Sequence, residues 1–195
     1  MSRKLVIVGD GMVGKTALLQ AFVHGSFHDS YIPTVFETTA MDVELAGGRT
    51  VTLGLWDTGG QEEFDQIRQL AYPGARVILL CYAIDSETSL QNIIHTWSLE
   101  VRKFCPNVPL ILVGCKSDLR SRLSPRAQVD PRFAVEVQKS VGALMHIECS
   151  AKTQSNVITV FHAAANATTL DDNPTPLGTK KSNREPRRHQ FCALL

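Results

Sequence analysis

The residues Gly9-Asp10-Gly11-Met12-Val13-Gly14-Lys15-Thr16 follow the spacing G-x-x-x-x-G-K-[ST], the pattern of a loop that cradles phosphates. Glycines let successive backbone N–H groups turn inward around phosphate oxygens, and a following helix adds its positive N-terminal end. Lys15 has the reach for the outer phosphates. The Thr16 hydroxyl suits Mg²⁺, a hard cation that prefers oxygen. Downstream, Asp57-Thr58-Gly59-Gly60-Gln61 puts an acid where a second Mg²⁺ anchor belongs in phosphoryl transfer. Gly60 lets a backbone N–H approach a γ-phosphate, and Gln61 can orient an attacking water. A third group is Cys115-Lys116-Ser117-Asp118. Guanine presents N1–H and N2–H₂ side by side, and a fixed carboxylate such as Asp118 accepts from both, whereas adenine offers no such pair. The Lys116 stem can pack over the ring. Taken alone, these four letters read equally well as a helix cap.

The elements around these groups follow from hydrophobic periodicity. The apolar run at 5–8 is a buried strand entering the phosphate loop, and 17–23 is the helix leaving it. Residues 24–33 are polar, and Pro33 disfavours helix before it, so this stretch is a loop. Met41, Val43 and Leu45 alternate with polar residues, Gly47-Gly48 turns, and Val51, Leu53 and Leu55 alternate again, giving a β-hairpin whose second strand ends at Trp56. A short helix over 62–70 stops at Pro73-Gly74. Then come a strand at 77–84 and a helix over 88–104, with Leu90, Ile93, Ile94, Trp97 and Val101 on one face. A strand at 110–113, a basic Pro-containing insertion at about 119–131, a helix over 133–141, a strand at 145–148 and a helix over 157–167 complete the pattern. Six strands alternating with helices predict an α/β fold. Its sheet is mostly parallel with one antiparallel edge hairpin, it has right-handed crossovers, and helices cover both faces. Ligands of such sheets bind beyond the carboxyl ends of the strands, where all three polar motifs fall.

Bulk properties restrict the class. The chain has 195 residues, is 44% hydrophobic and 20% charged, and carries a net charge of +1. That is ordinary globular composition, and it argues against a nucleic-acid binder working through bulk charge. Five cysteines without C-x-x-C spacing imply a reducing compartment, with Cys81 and Cys149 as buried thiols in strand-like runs. The six histidines form no metal-ligand spacing. No apolar run is long enough for a signal-peptide core at the N-terminus or for a membrane span elsewhere.

With these motifs in place, the chain resembles a small GTPase of the Ras superfamily, and most closely its Rho family. The resemblance rests on 9–16, Tyr31-Ile32-Pro33-Thr34-Val35-Phe36-Glu37, Trp56-Asp57-Thr58-Gly59-Gly60-Gln61-Glu62, Phe104-Cys105-Pro106-Asn107-Val108-Pro109, Glu148-Cys149-Ser150-Ala151-Lys152-Thr153 and the terminal Cys192-Ala193-Leu194-Leu195. It implies a Ras-like G domain of the P-loop NTPase class over 1–167 that binds GTP and GDP with Mg²⁺ and hydrolyses GTP. Lys15, Thr34, Gly60 and Gln61 would be catalytic, and Thr16, Thr34 and Asp57 would hold the metal, Asp57 through water. Gly9 to Thr16 would surround the phosphates, with Tyr31 over them. Phe27, Cys115, Lys116, Asp118, Ser150, Ala151 and Lys152 would form the base pocket, where the Ala151 backbone N–H meets guanine O6. Residues 31–37 would be the effector loop and 61–70 a second switch, read by exchange factors, activating proteins, dissociation inhibitors and effectors. The family further implies Rho-type control of the actin cytoskeleton, polarity or morphology.

Four positions depart from the family pattern. Cys115 replaces the usual Asn or Thr, and a thiol is a weak brace. Gly59 replaces Ala and widens the backbone freedom of the second switch, so that Gly59→Ala is expected to speed hydrolysis. Thr39 replaces an aromatic residue, and the insertion after Asp118 is short. Two rival readings follow: a persistently GTP-bound Rho-like binding module, favoured by Gly59 and Cys115 and opposed by Gln61, and a P-loop kinase or ATPase, opposed by Cys115–Asp118. Residues 168–195 read as a flexible tail. Its ending fits C-a-a-X, where a final Leu favours geranylgeranylation of Cys192. Lys180, Lys181, Arg184, Arg187 and Arg188 precede it and suit anionic lipids. The expected address is the cytoplasmic face of the plasma membrane or endomembranes, with a cytosolic pool.

Overall fold

A computed structural model of the chain describes residues 2–27 and 34–170. The expectations for Tyr31, Cys192 and the basic tail lie outside the described residues. Among the described residues six strands form one sheet in the order β2-β3-β1-β4-β5-β6: β1 Arg3–Val8, β2 Phe36–Leu45, β3 Arg49–Thr58, β4 Val77–Ala83, β5 Leu110–Cys115 and β6 Met145–Glu148. Only the β2–β3 pair is antiparallel. Parallel strands covered on both faces need no polar alternation, and Leu5 to Val8 are fully buried. Along β1, β4 and β5 the period of two sends alternate residues to two separate cores. Leu5, Ile7, Leu79 and Val113 pack under helices α1 (Lys15–His24) and α6 (Val157–Ala167). Val6, Val8, Leu80 and Leu112 pack under the helices between β4 and β6. Phe22 of α1 stacks on Phe161 of α6 with centroids 3.9 Å apart.

Most element ends shift by one or two residues from the sequence reading, and larger differences fall in four places. Strand β2 begins at Phe36, five residues before the alternating stretch, because Phe36 packs edge-on against Trp56 at 5.2 Å and the ladder continues to the Phe36–Thr58 pair. The 62–70 helix is a 3₁₀ turn, Glu62–Phe64, followed by the short α2, Asp65–Gln69. The long helix after β4 is continuous but irregular: α3 (Glu87–Asn92) passes through an i→i+5 turn, Ile93–Trp97, into α4 (Ser98–Phe104). The extra residue leaves Ile94 half-buried while Trp97 and Val101 stay in the core. At the other end, the chain stays packed one residue beyond α6, because Thr168 is buried and its hydroxyl donates to the Ala165 carbonyl at 2.7 Å.

The insertion is mostly exposed, as its composition predicts. It holds 3₁₀ turns at Ser117–Ser121 and Pro125–Ala127. Arg120 fastens it by donating to both Glu148 carboxylate oxygens and to the Val129 carbonyl. Helix α5, Pro131–Ser140, starts with Pro131 in its first turn and with the Asp130 side chain accepting from the Arg132 N–H at 2.8 Å, an arrangement that satisfies an otherwise orphan donor.

Candidate functional site

The phosphate loop connects β1 to α1. Gly14 caps the helix at φ 109°, and Met12 adopts a left-handed φ of 65° with its side chain exposed. Inside the loop Lys15 is 6% exposed, and its ammonium donates to the carbonyls of Gly9 and Asp10, both at 2.8 Å. Burial pushes the Lys15 pKa down, while Asp57 opposes the shift. Val13 faces the core instead of the loop interior.

Three oxygen-bearing side chains meet beside Lys15. Thr16 Oγ1 donates to Asp57 Oδ2 at 2.6 Å and lies 2.7 Å from Thr34 Oγ1. Asp57 is fully buried, and its second oxygen, Oδ1, has no hydrogen-bond partner. Burial raises the Asp57 pKa, opposed by the Thr16 hydroxyl and by Lys15. A buried carboxylate oxygen left unpaired is costly, and two hydroxyls with one carboxylate form an all-oxygen donor set for a hard divalent cation. Among the described residues no group of three His, Cys, Asp or Glu side chains could hold a metal, so further oxygens would come from phosphate and water.

The segment after Asp57 lies directly on the phosphate loop. A Cβ on Gly60 would meet Gly9 O at 2.4 Å and Gly11 N at 2.5 Å, and the Gln61 side chain stands over Gly11. Gly59 donates to the Val35 carbonyl at 3.2 Å, and a Cβ there would lie 2.5 Å from Phe64 Cδ2 and 2.7 Å from Thr34 O. The Phe64 ring can rotate away, but the Thr34 carbonyl is backbone. This contact reverses the expectation drawn from glycine's freedom: alanine at 59 displaces Thr34 instead of firming the second switch. Gly59→Ala is expected to slow single-turnover GTP hydrolysis about tenfold, since sub-ångström displacements of positioned groups carry effects of that order. An equal or faster rate would show that Thr34 tolerates the push.

At the far end of the cleft, the Ser150 hydroxyl donates to Asp118 Oδ1 at 2.7 Å, and the Ser117 N–H donates to the Cys149 carbonyl at 2.9 Å. Together they tie the β5 loop to the β6 loop. Lys116, at a left-handed φ of 65°, is held by Asp85 at 3.2 Å, and the Lys152 ammonium lies 5.9 Å from the Phe27 ring centre. Cys115 is buried beside Gly14, with the buried Cys81 and Cys149 thiols as its electrostatic neighbours. The proximity of Cys115 and burial push the Cys81 and Cys149 thiols above the ordinary thiol range. In place of a polar brace to the phosphate loop, this chain has a packed thiol cluster.

A cleft of about 490 Å³ joins the two ends, lined by Gly11 to Thr16 except Val13, by Phe27, Thr34, Gly60 and Gln61, and by Cys115, Lys116, Asp118, Ser150, Ala151 and Lys152. The sequence-predicted residues that line it therefore come from five separate connections. Asp57 sits just behind the wall, and the Asp10 carboxylate is engaged elsewhere, by Asn92 and Trp97. Asp85, Asn92, Trp97 and Arg68 were not legible as site residues, because no local spacing marks a side chain that acts through a tertiary contact.

A family model for the Ras family matches residues 4–169. The GTP-binding protein RHO1 of Saccharomyces cerevisiae is 45% identical over 201 residues, covering 99% of this chain and 95% of that protein. The chain is a Rho-family small GTPase. The GTPase is also 46% identical to the GTP-binding protein rho1 of Schizosaccharomyces pombe over 195 residues (94% of this chain, 96% of that protein). It is 44% identical to the GTP-binding protein rho5 of the same organism over 203 residues (100% and 98%). Its fold is the Ras-like G domain. Small GTPases hydrolyse GTP, by attack of water on a γ-phosphate, a reaction governed by positioning and charge neutralisation.

Proposed function

We propose that this GTPase is a membrane-anchored switch whose cleft divides into a phosphate end at Lys15, Thr16, Thr34, Asp57, Gly60 and Gln61 and a base end at Phe27, Lys116, Asp118 and Ala151. The observation that carries this reading is the opposition, in one cleft, of the Lys15 ammonium to the Ser150-oriented Asp118 carboxylate. Lys15 and the loop amides hold phosphate oxygens, and Gly60 offers its N–H to the γ-phosphate. Gln61, placed over Gly11, orients the attacking water. Thr16, Thr34 and Asp57 would hold Mg²⁺, consistent with the orphan Asp57 oxygen. When bound, the ion neutralises charge on the β- and γ-phosphates. The cationic side chains lining the cleft are Lys15, Lys116 and Lys152, with no arginine among the described lining residues, so an activating protein supplies the arginine that stabilises the transition state. Ordering of Thr34 and of the segment around Gln61 by the γ-phosphate is the state that effectors recognise, and the role we propose for that state is control of the cytoskeleton, polarity or morphology. Gln61 in place beside the loop supports hydrolysis over the persistently GTP-bound alternative.

For the membrane step we propose prenylation of Cys192, reinforced by Lys180, Lys181, Arg184, Arg187 and Arg188. One lipid chain gives only marginal anchoring, and nearby basic residues add about 1 kcal/mol each at an anionic surface. Cys192→Ser is expected to move the protein from the membrane to the soluble fraction of disrupted cells, with its GDP affinity unchanged, because residue 192 lies far in sequence from every phosphate and base motif. Retention of the variant on membranes would exclude the lipid anchor.

A further inference from the structure

One chain of contacts lies outside the roles assigned above. Asp10 belongs to the phosphate loop, yet both of its carboxylate oxygens are taken by the helix that follows β4. Trp97 Nε1 donates to Oδ1 at 2.6 Å, and Asn92 Nδ2 donates to Oδ2 at 2.8 Å. The two donors sit at the ends of the i→i+5 turn, Asn92 closing α3 and Trp97 closing the turn itself. In a regular helix, residues five apart point about 140° away from each other. The widened turn brings them to one side, a use typical of such turns at functional sites. The irregularity therefore has a purpose: it aims two donors at one carboxylate of the phosphate loop.

The same indole is engaged on its face. The Arg68 guanidinium lies 4.7 Å from the Trp97 ring centre. Arg68 also donates to the Gly59 carbonyl at 2.9 Å and to the Gln61 carbonyl at 3.5 Å, and it pairs with Glu100 at 2.8 and 3.0 Å. Tyr72 donates to the same Glu100 carboxylate at 2.6 Å. Arg68 and Trp97 are each 3% exposed, so these contacts are shielded from water and from salt.

We propose that Trp97 is a positioning residue of the GTPase reaction, holding the phosphate loop by its indole edge and the Gln61 segment by its ring face. Both halves of the phosphate site are thus registered against one buried side chain. The edge contact acts on nucleotide retention: Asp10 is a negative charge in a loop that receives a polyanion, and its carbonyl also accepts from the Lys15 ammonium. Freeing the carboxylate lets Asp10 move, carrying Lys15's acceptor with it and bringing repulsion toward the phosphates. The face contact acts on hydrolysis, because Arg68 holds the two carbonyls that flank Gly60. The proposal rests on the assignment of the phosphate end given above.

The full chain, loaded with fluorescent GDP or with GTP, provides the test. Trp97→Phe keeps an aromatic face and removes the indole N–H. It is expected to speed GDP release roughly tenfold, the scale of one hydrogen bond to a charged acceptor, with a smaller effect on single-turnover hydrolysis. Arg68→Gln is expected to show the opposite split, slowing hydrolysis about tenfold with a smaller effect on release. In an Asp10→Ala background, Trp97→Phe should add nothing to the release rate, since its partner is already gone. A side chain that merely filled the core would give the same increment in both backgrounds, and that additivity would overturn the proposal, as would unchanged release in Trp97→Phe itself. If Trp97→Phe fails to fold, Asn92→Ala removes the other donor from a less buried position and must show the same non-additivity with Asp10→Ala. A wild-type chain that retains no guanine nucleotide would overturn the underlying site assignment, a result distinct from wild-type binding with unresponsive variants.

Discussion

Asp118→Asn is expected to lower GDP affinity by about two to four decades and to shift preference toward xanthosine nucleotides. The carboxylate is fixed by the Ser150 hydroxyl at 2.7 Å through Oδ1, and in turn the Ser150 oxygen accepts from the Thr153 N–H at 3.2 Å. Guanine meets this group with two adjacent donors, and hydrogen bonds to a charged acceptor contribute about 1.5–3 kcal/mol each. A carboxamide offers one acceptor and a donor, so it loses a bond and sets N–H against N–H. Xanthine carries an oxygen where guanine carries its exocyclic amine, and the new donor matches it. Competition of GDP and XDP for the purified variant measures both effects. Unchanged GDP affinity would remove Asp118 from the base end of the cleft.

The second large effect is expected at Gly60. Gly60→Ala should reduce single-turnover GTP hydrolysis about 100-fold while leaving GDP affinity within a few-fold. The Cβ has nowhere to go: Gly9 O at 2.4 Å, Asp10 C at 2.5 Å and Gly11 N at 2.5 Å are all backbone atoms of the phosphate loop. Relief must come from withdrawal of the whole 59–61 segment, which carries Gln61 off Gly11. A shift near 1 Å in a positioned group costs about 100-fold in rate. The base end, built from the β5 and β6 loops, does not sense this move, so binding is largely spared. A variant that hydrolyses GTP at the parental rate would show that the segment withdraws during normal turnover and that its close approach is not needed.

The sequence alone determined a great deal about this protein. The phosphate loop is a contiguous eight-residue motif whose conformation follows from glycine placement, so its presence, its flanking strand and its helix were legible without coordinates. The apolar runs at 5–8, 77–84 and 110–113 were readable as strands of a two-faced parallel sheet because strands buried on both sides carry no polar alternation. Asp57, Gln61 and Asp118 were assignable because they lie in short motifs at strand ends, and Ala151 only through the family resemblance. The tertiary structure decided what depends on contacts between distant segments. The start of β2 at Phe36 was hidden because its stabilising partner, Trp56, sits on another strand. The i→i+5 turn at Ile93–Trp97 has the same composition as a regular helix and reveals itself only through the Asp10 carboxylate it serves. The expected effect of Gly59→Ala changed sign, because conformational freedom is a local property, whereas the Thr34 carbonyl 2.7 Å from its would-be Cβ is brought there by the segment leading into β2. Local backbone preferences can be read along the chain. Steric and electrostatic partners across the sheet exist only once the chain has folded.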